Sequence, residues 1–267
     1  MRTPLLLRAA SLLFLTTLAT GCATPAANDP KLTLQSGYSA LDQKRYDQAI
    51  NSADQALQQS NGGPGSAEAL YLRGRAVYAR PKADPNQQNA DLREARDCYL
   101  RALNVSPTPQ LEGLIRCDLA NVAYFQDDYA TADREWQAAF EKLDTDEAKA
   151  WALYRVGICR QRLGRWSEAD AIFNAVQTHY PNSTPAQRAR DHTGAKGFYV
   201  QVGTFKDATS ADSVVTNLKS KGLTASKSPR PASSAQAVLV GPQASYANAL
   251  ALKQQLAGTY TDAMVIP

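Results

Sequence analysis

Gly157-Ile158-Cys159-Arg160-Gln161-Arg162-Leu163-Gly164-Arg165-Trp166-Ser167-Glu168-Ala169-Asp170-Ala171-Ile172-Phe173-Asn174-Ala175-Val176-Gln177-Thr178-His179-Tyr180-Pro181 reads as two helices that touch. Gly157 is followed twelve residues later by Ala169, then by Phe173, Val176 and Pro181, with Trp166 three before Ala169. Small residues at fixed offsets let two antiparallel helices approach closely. The aromatic fills the gap between neighbouring pairs, and the proline stops the second helix.

Upstream the pattern returns. A second copy runs Gly74, Ala95, Tyr99, Ala102 and Pro107, with the same spacing from Ala95 onward. A third runs Ala120, Tyr129, Ala132, Trp136 and Ala139, and a first runs Gly37, Tyr46, Ala49, Ala53 and Ala56. Ala95, Ala132 and Ala169 are 37 residues apart. The stretch 79–87 is an insertion in the second copy and is expected to loop out. This array over residues 31–183 resembles tetratricopeptide repeats (TPRs), whose usual period is about 34. The resemblance implies an all-α solenoid whose concave face binds a protein partner. Four copies exceed the roughly three needed for a stable stack. Arg155, Arg160, Arg162 and Arg165 cluster in the last copy. They read first as a solvated helix face, with an acidic-partner site as the alternative. Cys98, Cys117 and Cys159 read as small buried thiols, with a Cys98–Cys117 bridge conceivable in an oxidising compartment.

The N-terminus is an address. Arg2 and Arg8 precede an apolar run from Ala9 to Leu18, which Ala19-Thr20-Gly21-Cys22 follows. That run is about 10 residues, short of the roughly 20 that span a bilayer. The stretch resembles the signal of bacterial lipoproteins, which implies a signal peptide over 1–21 and lipidation of Cys22. Each buried methylene of the lipid adds about 0.8 kcal/mol of membrane affinity. Ala23 follows the cysteine, and by the same resemblance this implies the outer membrane, facing the periplasm. Residues 22–30 read as lipidated cysteine and tether.

Beyond a polar stretch, 184–195, read as a linker, the period changes to that of strands. Alternation over 197–205, helices over 207–222 and 246–258, and strands near 223–227, 237–242 and 262–266 give the order β-α-β-β-α-β. The fold class expected is therefore a TPR solenoid followed by a small α/β domain, with two helices on one face of a four-stranded sheet. Val200 and Val202 should face the helices, leaving Tyr199 and Gln201 on the open side.

The order, with Tyr199-Val200-Gln201-Val202-Gly203-Thr204-Phe205 and Val238-Leu239-Val240-Gly241-Pro242, resembles the SPOR (sporulation-related) domain over residues 196–267. The resemblance implies binding to peptidoglycan, chiefly glycan strands stripped of stem peptides at division septa, through the open sheet face. Gln201 matches the family's glutamine, and Thr204 keeps the hydroxyl of its usual serine. Tyr199 or Lys206 is a candidate to add contacts. Ala235 and Ala237 stand where an aromatic and an arginine are common, Leu239 where another arginine is common, and Gln243 replaces the usual phenylalanine. These departures leave a second function open, an outer-membrane assembly adaptor whose sheet contacts protein.

Composition excludes other classes. The chain has two histidines, His179 and His192, which argues against His-based catalysis and His-rich metal sites. A net charge of +4 is too small to imply nucleic-acid binding. The C-terminal region has three acids, Asp207, Asp212 and Asp262, none placed as the carboxylate pair that glycan hydrolysis requires. No catalytic residue, metal or cofactor is expected. The chain reads as a non-enzymatic envelope lipoprotein that holds peptidoglycan and a protein partner, in cell division or wall organisation.

Overall fold

The computed structural model describes residues 29–230 and 234–267. The expected signal peptide and Cys22 lie outside the described residues. Four antiparallel helix pairs follow one another: α1 (Pro30–Asp42) with α2 (Tyr46–Ser60), α3 (Ser66–Ala79) with α4 (Pro85–Asn104), α5 (Pro109–Phe125) with α6 (Tyr129–Phe140), and α7 (Asp146–Arg162) with α8 (Trp166–His179). The odd-numbered helices form one layer, in which α1 touches α3 and α3 touches α5.

The repeating positions close each pair. Ala49, Ala95, Ala132 and Ala169 are fully buried, as are Tyr99, Phe173, Ala56, Ala102, Ala139 and Val176. Gly157 has no room for a side chain: a Cβ there would lie 2.5 Å from Cε1 of Phe173. Gly74 meets Tyr99 in the same way, at 2.6 Å. The glycine of one helix thus receives the aromatic ring of its partner.

The insertion does not loop out in full. Only residues 80–84 leave the helices, because Asp84 caps the backbone N–H groups of Asn86 and Gln87, and Pro85 opens α4. The added residues lengthen α4 at its start. Asp91, 1% exposed at its side chain, receives Arg80 and, at 2.9 Å, Lys82, so the loop is tied down from inside. The three described cysteines are free, with Cys98 and Cys159 buried, and no Cys98–Cys117 bridge forms.

The expected linker 184–195 is a second correction. Thr184–His192 forms a ninth helix, α9, with Ser183 as N-cap and Pro185 in its first turn. Ala186 and Ala189 are fully buried against α7 and α8. A two-alanine stripe suffices to dock it because α8 ends in a buried aromatic and aliphatic surface, Phe173 and Val176.

Beyond α9, β1 (Phe198–Phe205), α10 (Ala208–Ser220), β2 (Ala225–Pro229), β3 (Gln236–Gln243), α11 (Tyr246–Leu256) and β4 (Met264–Ile266) follow in turn. The sheet order is β2-β3-β1-β4, with every neighbouring pair antiparallel. Val200, Val202, Val238 and Val240 pack with Ala211, Val215 and Leu218 of α10 and with Leu252 and Leu256 of α11. Both helices therefore cover one face, and the other is left open.

The two regions touch. Trp166 meets Phe198 at 4.9 Å between ring centroids, Phe198 meets Tyr246 at 5.4 Å, and Tyr246 meets Tyr129 at 6.1 Å. The guanidinium carbon of Arg162 lies 3.3 Å from the centroid of the Tyr246 ring.

Candidate functional site

The open face is built from three cross-strand rows. Ser228, Ala237 and Thr204 form one. Ser226, Leu239, Gln201 and Met264 form the next, and Tyr199 pairs with Ile266 in the third. Simple alternation would put Gln201 and Thr204 on opposite faces, since they are three positions apart. A bulge between Gln201 and Gly203 removes that conflict: two steps on β1 match one step on β3, from Leu239 to Val238. The bulge rotates Thr204 onto the open face, and Phe205 packs against the core instead.

A second irregularity, at Gly241, shapes the Tyr199 end of the face. Gly241 adopts φ 142°, and a Cβ there would lie 2.9 Å from the Phe198 carbonyl oxygen and 3.1 Å from the Tyr199 ring. Only glycine fits, which accounts for its place before Pro242.

Gln201 lies on the open side as expected, but it is 8% exposed. Its amide is held at both ends. Nε2 donates to the Thr204 hydroxyl at 3.3 Å, and Oε1 accepts from Arg230 Nη2. Arg230 is exposed and reaches the face from beyond the end of β2. A Gln201 held this way orients its neighbours more than it meets a ligand. The groups left to solvent are the Thr204 hydroxyl, the remaining donors of Arg230, and an apolar floor of Met264, 50% exposed, with half-buried Leu239 and Tyr199. Donors beside a flat apolar surface can take up a ligand with hydroxyl, carbonyl or carboxylate oxygens and a nonpolar ring face.

Arg230 was not legible as a site residue. It lies between the strands expected near 223–227 and 237–242, and it is the single arginine after Arg190. That isolation was the available signal. Lys206 stands past the end of β1, in the turn before α10. No acid joins the face as a carboxylate pair. Asp207 caps α10, Asp212 pairs with Lys227 at 2.5 Å on the helix side, and Asp262 precedes β4.

A comparison against protein families matches both regions of the chain. Residues 194–267 match the SPOR domain. Residues 151–183, which contain the fourth helix pair, match the tetratricopeptide repeat. Neither family is catalytic. Among the described residues, no group of three or more His, Cys, Asp or Glu could hold a metal ion, and no helix is long and apolar enough to cross a membrane. No curated protein matches the chain. The chain is similar to the crystal structure of YrrB, described as a TPR protein with an unusual peptide-binding site, at 20% identity and TM-score 0.50, covering 62% of this chain and 75% of that one. It is also similar to the MamA protein, at 14% identity and TM-score 0.48, covering 62% and 79%. The likeness to YrrB shows the helical fold.

Of the arginine cluster, Arg165 is exposed, and Arg155, Arg160 and Arg162 are half-buried. Arg160 pairs with Asp133 at 3.5 Å and with Glu168 at 3.9 Å. Arg165 precedes α8 as its N-cap residue. Arg155 and Arg162 lie against aromatic rings at the junction with the SPOR domain.

Proposed function

We propose that this protein is a non-enzymatic, lipid-anchored protein of the bacterial envelope that docks on peptidoglycan through its SPOR sheet. Its TPR layer holds a protein partner. The observation that carries the reading is the open face at 194–267, where Thr204 and Arg230 converge on Gln201 beside an apolar floor. A glycan strand offers what such a face takes: hydroxyls and N-acetyl groups for the donors, and sugar ring faces for Leu239, Tyr199 and Met264. Removing a stem peptide also frees the lactyl carboxylate of the sugar it was attached to, and Arg230 supplies the cation for it. In this reading Arg230 takes the part of the arginine absent from position 237. SPOR domains generally bind peptidoglycan, and TPR arrays generally mediate protein contacts.

Cys22 carries the anchor in this proposal, and the outer membrane facing the periplasm is the expected location, with the septum as the place where denuded strands concentrate. Holding membrane and wall together raises the effective concentration of each contact, so weak individual affinities suffice. YrrB, described as having a peptide-binding site, supports a peptide-like ligand for the helical layer. Pelleting of the full chain with sacculi tests the reading. Binding that increases after amidase treatment and falls in Arg230→Ala is the expected result. Binding to envelope proteins but to no form of sacculus would favour the adaptor.

A further inference from the structure

A cavity of about 220 Å³ opens where α5, α7 and α9 meet the SPOR domain. Arg155, Gln161 and Arg162 of α7, Tyr124 of α5, His192 of α9 and Tyr246 of α11 are among the residues that line it. The last repeat and the SPOR domain build this site jointly.

Its chemistry is cationic and pre-ordered. Arg155 and Arg162 are seven residues apart, two turns on one helix face. Both reach the same ring: their guanidinium carbons lie 5.8 and 5.4 Å from the centroid of Tyr124. Neither forms an ion pair among the described residues, whereas Arg160 between them is paired twice. Arg162 spends one donor on the Tyr129 hydroxyl, at 3.4 Å, and sits over the Tyr246 ring. The back wall is fixed by Gln161, 2% exposed. Its Nε2 donates to the His192 carbonyl at 2.9 Å, and its Oε1 accepts from His192 Nδ1 at 2.8 Å. That leaves His192 Nε2 to accept from the Tyr154 hydroxyl, at 3.3 Å. His192 is therefore held neutral, and the two guanidiniums provide the charge.

Arg155 and Arg162 line the cleft, with Pro267, and neither pairs with a side-chain carboxylate among the described residues; two such cations repel each other, and an anion between them relieves the repulsion. A cavity of about 220 Å³ has room for an acidic side chain. It lies at the end of the helical layer that TPR stacks use for extended peptides.

We propose that this junction is a carboxylate-binding site for an acidic side chain of an extended partner segment, held by Arg155 and Arg162 and closed by Tyr246 of the SPOR domain. The proposal rests on the reading that the TPR layer binds a protein. It adds the partner's chemistry and makes the SPOR domain one wall of that site. Occupancy then stiffens the junction, and by linkage a fixed SPOR orientation strengthens partner binding.

Titration of the full chain with N-acetylglutamate and N-acetylglutamine, each with its α-carboxyl blocked as the N-methylamide, and with inorganic phosphate, at constant ionic strength tests it. The signals are the arginine Nε–H resonances and the fluorescence of Trp136, whose ring centre is 5.9 Å from the Arg155 guanidinium carbon. N-acetylglutamate should give a saturable change, and the neutral amide should not. Arg155→Gln should weaken binding about ten-fold, and Tyr246→Ala, which leaves both arginines, about five-fold. An equal response to the amide, no saturation, or an unchanged affinity in Arg155→Gln would overturn the proposal. Phosphate binding tighter than N-acetylglutamate would overturn the carboxylate assignment. Sacculus pelleting is read separately, so loss of wall binding with glutamate binding intact would refute only the sheet's role. A protein partner held equally well by Arg155→Gln would refute this site and leave the TPR reading standing.

Discussion

Gly157→Ala measures how tightly the repeats are closed. In an exposed helix interior this change stabilises by about 1 kcal/mol, because alanine is the better helix former. Here the added methyl would meet three atoms of the Phe173 ring, at 2.5, 2.8 and 2.9 Å. The ring cannot retreat. It is fully buried, with Tyr154 at 6.0 Å and His192 at 5.4 Å between ring centroids. Overpacking of a closed core costs about 1–3 kcal/mol, and three contacts below 3.0 Å place this site near the top of that range. Less the propensity gain, the net loss is about 2 kcal/mol. Urea unfolding of the full chain, followed by far-UV circular dichroism, should show an earlier transition for the helical part. Phe173→Leu in the Gly157→Ala background should restore part of the loss by making room. A Gly157→Ala variant as stable as the parent, or more so, would refute the claim that the ring occupies the space above the glycine.

Asp91→Ala should cost about 3 kcal/mol. Breaking a buried pair typically costs 3–5 kcal/mol, and the lower figure applies because Arg80 and Lys82 keep 30% and 22% side-chain exposure. The hydrogen bond from Arg80 holds the Asp91 carboxyl below its ordinary range, so this stability is present above about pH 4 and lost as pH falls through the folded-state value. Acid unfolding curves of parent and variant should converge there. Burial lowers His192 to about 4 from its ordinary 6.5, so the unfolded chain takes up the proton first and stability should drop between pH 6.5 and about 4. His192→Gln should flatten that part of a melting-temperature profile. In the SPOR domain, Arg230→Ala should remove most sacculus binding while leaving the fold intact, since Arg230 is exposed. Thr204→Val should weaken binding several-fold. Gln201→Ala should weaken it through both neighbours, and in that variant the Arg230 side chain should become mobile by NMR.

The repeats were legible because their signature is steric. Gly157 and Phe173, or Gly74 and Tyr99, must alternate small and large wherever two helices touch, so the spacing survives in the sequence. The strands were legible for a similar reason: Val200, Val202, Val238 and Val240 mark the covered face by alternation. Helix α9 was missed because Thr184-Pro185-Ala186-Gln187-Arg188-Ala189-Arg190 shows only two small apolar residues to a surface that exists only once α7 and α8 have paired. The bulge that brings Thr204 beside Gln201 breaks the alternation used to read faces. Arg230 and the Arg162–Tyr246 stack depend on how distant segments meet, and no local period records that.

The most direct test of the central claim is co-sedimentation of the full chain with purified sacculi, before and after amidase treatment, for the parent and Arg230→Ala. The parent should pellet, and should pellet more after the stem peptides are removed, while Arg230→Ala should stay largely in the supernatant. Equal pelleting of parent and variant, or no pelleting with either material, would contradict it.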